Sequence, residues 1–115
     1  MATPEGLVQN AICAFLDTRT DLFFWVSKTQ GTFDPTRKTF RRMGKWNRKG
    51  VPDITAGLDD GRMLLIEVKS AKGRVSPEQK AFHEKARIMG ALVIVARSVD
   101  DVKKGLNAGM CGELI

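Results

Sequence analysis

Between Val51 and Lys69 the chain reads as two apolar strands joined by the turn Asp59-Asp60-Gly61, and this pairing restricts the fold more than any other segment. Val51 to Leu58 enters the turn, and Arg62 to Lys69 returns antiparallel. Side chains alternate along a strand, so Leu64, Ile66 and Val68 share one face while Met63 and Leu65 share the other. A strand apolar on both faces belongs in the middle of a sheet. Its far end carries Glu67 and Lys69, two residues apart and therefore on one face. Paired as a hairpin, the two strands bring Asp53 to that same face. Charged groups at the end of a buried strand are costly unless matched, and buried charges are usually paired or bound to metal.

The flanking segments supply helices and further strands. Thr3-Pro4-Glu5 has the capping hydroxyl, early proline and acidic first turn of a helix start. Leu7, Val8, Ala11, Ile12, Phe15 and Leu16 follow at helical spacing, so this helix is expected to end near Leu16 or Asp17. Leu22 to Ser27 is aromatic and β-branched and reads as a buried strand, with Trp25 in the core. Ser76-Pro77-Glu78-Gln79 is a capping box. The helix it opens has Phe82, Ala86 and Met89 as its inner face, with Gly90 as its stop. Ala91 to Ala96 is an apolar strand, and strand–helix–strand order implies a right-handed parallel crossover. A short helix from about Val99 to Leu106 follows, and Gly105 to Gly112 reads as a loose tail or contact segment. The expected fold class is α/β, a mixed central sheet flanked by helices in αβββαβ order, forming one domain over 1–115.

Charge singles out the remaining segment. The chain carries a net charge of +6. Nearly all the excess lies between Lys28 and Gly50, where Lys28, Arg37, Lys38, Arg41, Arg42, Lys45, Arg48 and Lys49 face one acid, Asp34. With Phe33, Phe40 and Trp46 interleaved, residues 29–50 read as a basic loop or hairpin that tracks a phosphate backbone, with Trp46 the aromatic expected to touch DNA. Cys13 and Cys111 have no CxxC spacing and read as ordinary thiols. His83, the single histidine, has no companion for a zinc site and reads as a surface residue. No membrane span, leader segment or organic cofactor is expected, and the location expected is cytoplasmic.

Two converging carboxylates suit a hard divalent cation, and an adjacent lysine adds a fixed positive charge. That combination is suited to cutting a phosphodiester. Gly50-Val51-Pro52-Asp53 followed by Ile66-Glu67-Val68-Lys69, with 13 residues between the acids, resembles the PD-(D/E)xK nuclease superfamily. With Glu5 and Gln9 on the first helix, Gly73, Ser76 and Gln79 after the lysine, and Gly90 beyond, the order is similar to the VRR-NUC (virus-type replication-repair nuclease) domain, in its free-standing phage or bacterial form. The resemblance implies a restriction-endonuclease-like core. It implies Glu5, Asp53, Glu67 and the carbonyl of Val68 as metal ligands, and Asp53, Glu67, Lys69 and Gln79 as catalytic residues. It further implies Mg²⁺ as cofactor (with Mn²⁺ substituting), and a homodimer cutting Holliday junctions, flaps or other branched DNA. A catalytically silent DNA-binding subunit of the same fold and a restriction-like endonuclease are the alternatives.

Overall fold

A computed structural model of the chain describes residues 3–27, 33–34, 39–40, 46 and 48–111, with the backbone alone described at 33–34, 39–40 and 110–111. Helix α1 (Pro4–Asp17) leads into strand β1 (Leu22–Val26). Two short strands, β2 (Phe33–Asp34) and β3 (Thr39–Phe40), pair with each other. The hairpin follows as β4 (Ile54–Leu58) and β5 (Met63–Val68), then helix α2 (Pro77–Ile88), strand β6 (Leu92–Ala96) and helix α3 (Val99–Cys111). The main sheet has the order β1-β4-β5-β6, antiparallel except for the parallel β5–β6 pair joined through α2.

The hairpin is central, as its two apolar faces require. One face of the sheet carries Ile54, Ala56 and Leu58 from β4, Leu64, Ile66 and Val68 from β5, and Ile94 and Ala96 from β6. Ile12 and Leu16 of α1 and Val102 and Leu106 of α3 close over it, and this is the buried core. Among the described helices, α2 alone packs on the opposite face. Strand β1 sits at the sheet edge, and the expectation of a fully buried strand fails there. Leu22 and Phe24 pack against the core, while Phe23 and Trp25 project from the other face, where their rings meet at 5.7 Å and stay largely exposed. An aromatic run fits an edge strand as well as a central one when only one face is covered.

Helix α3 is longer than the sequence implies. Gly105 and Gly109 stand one turn apart on the helix rather than in a loose tail. A Cβ on Gly105 would lie 2.6 Å from Cδ1 of Ile94, and one on Gly109 would lie 2.4 Å from Cδ2 of Leu92. These glycines cost helix propensity but let α3 press its backbone onto β6, a trade of packing against local preference. Gly105→Ala is therefore expected to destabilise the protein by about 1–3 kcal/mol, as overpacking outweighs the propensity gained. Urea unfolding measures this.

Candidate active site

The hairpin register sets the geometry of the site. Ile54 pairs with Ile66 at the last rung of the ladder, and continuing by one residue sets Asp53 opposite Glu67. Residues directly opposed in an antiparallel pair share a face. The Asp53 carboxylate confirms the approach: its Oδ2 accepts the N–H of Val68 at 2.7 Å. The acid thus lies against the peptide that joins Glu67 to Val68. Asp53 is 1% exposed and Glu67 is fully buried. Asp53 precedes the strand rather than belonging to it, in a bend at Pro52-Asp53 held from the β1 side. Ser27 donates its backbone N–H to the Asp53 carbonyl (2.8 Å) and its hydroxyl to the Pro52 carbonyl (3.0 Å). Thr55 in turn donates to the Ser27 hydroxyl at 2.7 Å.

Lys69 extends the sheet past the end of β5, its N–H donating to the carbonyl of Ala96 at 2.9 Å. This fixes its backbone on the register that places it, by alternation, on the Glu67 side. The residue is buried, so its ammonium stem lies along the fold rather than out in solvent.

Helix α2 closes the site from above. The capping box forms as the sequence predicts: Gln79 N–H donates to the Ser76 hydroxyl (3.1 Å), and the Ser76 N–H donates to Gln79 Oε1 (2.9 Å). With Oε1 so occupied, the amide nitrogen points the other way and donates to Glu67 Oε2 at 3.2 Å. Gln79 is therefore both a member of the capping box and a partner of the buried Glu67. The expectation of a surface histidine is wrong: His83 is only 3% exposed and its Nε2 lies 3.2 Å from Glu67 Oε1. Burial, with the charges of Arg87 and Lys69 nearby, pushes the His83 imidazole below its usual range. The signal for His83 was present in the sequence, since residues four apart on a helix share a face. The apolar residues expected on the inner face of α2 are less covered than this polar pair: Phe82 and Ala86 are half-buried and Met89 is exposed.

Those apolar residues instead line an open groove of about 1200 Å³. Thr55, Met63 and Leu65 line it from the hairpin, on the same sheet face as Asp53 and Glu67, and Arg48, Lys49, Arg62 and Lys85 also contribute. Of the basic residues singled out by charge, Arg48 and Lys49 are exposed, as is Trp46. Lys28, Arg37, Lys38, Arg41, Arg42 and Lys45 lie outside the described residues. Glu5 is half-buried in the first turn of α1. Among the described residues, no three His, Cys, Asp or Glu side chains gather into a metal-binding group, so Glu5 is not brought together with Asp53 and Glu67.

A buried acid pair at the open end of a β-hairpin, a lysine two residues on, and a crossover helix bearing a glutamine match the PD-(D/E)xK pattern in order and spacing. Comparison with known proteins agrees. The family model for the VRR-NUC domain matches residues 34–100, and the chain belongs to that family. A solved structure described as a VRR_NUC domain is similar at 26% identity, with a TM-score of 0.64, covering 92% of this chain and 97% of that one. No curated protein matches the chain. No described helix is long and apolar enough to cross a membrane.

The site depends on α2 sitting close to the hairpin entrance. Gly50 has φ +83°, and a Cβ there would lie 2.4 Å from the Glu78 carbonyl oxygen, a backbone atom with nowhere to yield. Gly50→Ala combines a left-handed backbone with that clash and is expected to cost about 2 kcal/mol or more. Chemical denaturation, with intact far-UV circular dichroism at low denaturant, tests it.

Proposed function

We propose that this protein is a metal-dependent endonuclease that hydrolyses phosphodiester bonds in DNA, with Asp53, Glu67 and Lys69 as its reacting core. The observation that carries the reading is the directly opposed pair of buried carboxylates, Asp53 and Glu67, on adjoining chain segments. Two buried carboxylates on opposed residues repel unless a cation offsets them.

The donors suit a hard cation. Asp53, Glu67 and the Val68 carbonyl offer only oxygen, and Mg²⁺ is commonly held by one or two carboxylates plus substrate phosphate and water. These residues would hold Mg²⁺, with Mn²⁺ as a substitute. When bound, such an ion lowers the pKa of a water and offsets phosphate charge. Lys69 orients the attacking water and stabilises negative charge that builds on the phosphate oxygens. Gln79 holds Glu67 in place. Arg48 and Lys49, with Lys28, Arg37, Lys38, Arg41, Arg42, Lys45 and Trp46, bind the DNA backbone without reading its sequence.

The finer reading follows the family resemblance: one catalytic unit, assembled as a homodimer in the cytoplasm and acting on branched DNA in replication, repair or recombination. Incubation with linear, flapped and four-way DNA in Mn²⁺ tests the substrate preference, and equal cutting of all three removes structure selectivity.

Asp53→Ala is expected to abolish cutting while retaining DNA binding, and Lys69→Ala to slow it by about 10²-fold or more. A chelator is expected to stop the wild type. Undiminished cutting in chelator removes the metal from the reaction, and wild-type rates in either variant remove that residue from it. Binding is expected to weaken steeply with salt, as phosphate contacts require.

A further inference from the structure

We propose that His83 is a positioning residue, which with Gln79 clamps both oxygens of the Glu67 carboxylate and so sets the direction in which it meets a divalent cation. The inference rests on the metal-dependent reading above and extends it to a residue that the nuclease motif does not include.

Gln79 and His83 are one turn apart on α2, so both side chains leave the helix on one face. They are its two buried residues. Each reaches a different oxygen of one carboxylate, Gln79 Nε2 to Oε2 and His83 Nε2 to Oε1, both at 3.2 Å. An ionised carboxylate only accepts, so the His83 contact requires the proton on Nε2. A single bond would leave the carboxylate able to swing about its terminal torsion. Two bonds from one rigid helix, to the two oxygens, remove that freedom.

The clamp is anchored at its base. Gln79 cannot turn its amide over without losing the Ser76 N–H, and Ser76 is the cap of the same helix. A carboxylate oxygen has two acceptor sites, so a bond from the helix does not bar it from coordinating an ion. Partners of this kind, which orient a ligand without touching the metal, typically change metal affinity by about 10–100-fold when removed. A histidine that merely filled space would reach no polar partner; here the buried ring meets the acid of the site.

The test is Mn²⁺ affinity of the full chain without DNA, by isothermal titration calorimetry, for the parent and His83→Leu, His83→Asn and His83→Gln. Leucine fills the pocket without a donor, asparagine has a donor that falls short, and glutamine carries one about as far as Nε2. The Leu and Asn variants are expected to bind about tenfold or more weakly, and the Gln variant within about threefold of the parent. Equal affinities in the three variants, or parent-like affinity in the Leu variant, overturn the assignment. If the Leu variant does not fold by circular dichroism, the contrast between Gln and Asn decides the question in its place. A parent that binds no Mn²⁺ overturns the metal reading and this one with it, a result distinct from parent binding that His83 does not influence.

Discussion

Glu67 ends the central strand with its carboxylate sealed from water, and an acid in that position is tolerated only if donors reach it from several directions. Leaving a buried charge without partners costs far more than an ordinary hydrogen bond returns. The neighbouring elements meet that demand. The parallel crossover from β5 to β6 carries α2 over the strand end, where Gln79 and His83 reach the carboxylate. Asp53 arrives from the adjacent strand and binds the amide of the very next residue. No buried side-chain nitrogen or oxygen among the described residues lacks a hydrogen-bond partner, so this polar corner is closed without an orphaned group. Polar networks so satisfied are stiff, which suits a site whose geometry must be ready before substrate arrives.

The two faces of the sheet divide the labour. The α1–α3 face is apolar, dense and continuous from Ile12 through Ile66 to Val102. The α2 face holds the acids at one end, and among the described residues Phe23, Trp25 and Met63 stand exposed along the rest. Stability thus comes chiefly from one face, while the other is available for chemistry and contact.

Much of this was legible from period and punctuation. The uninterrupted apolar run of β5 announced a central strand covered on both faces, and the capping box fixed where α2 begins. The spacing of Asp53, Glu67 and Lys69 then followed from strand geometry. What escaped was set by tertiary context. Burial of His83 depends on where α2 lands, and its spacing from Gln79 was the one local sign of it. The glycines at 105 and 109 suggest a breaker until β6 is in place beneath them. Trp25 reads as core in isolation because nothing local marks β1 as an edge.

The hairpin turn at Asp59-Asp60-Gly61 lies about 20 Å along the strand from Asp53, judged by strand rise. Leu58 closes it with paired backbone bonds to Arg62 and Gly61. That distant loop is nevertheless what counts out the chain so that two acids arrive side by side. Slipping the pairing by one residue would turn every β5 side chain over, sending Glu67 into the oily interior and Ile66 to the face of Asp53. The chemistry of this molecule is therefore timed, like teeth on a zip, by its least chemical end.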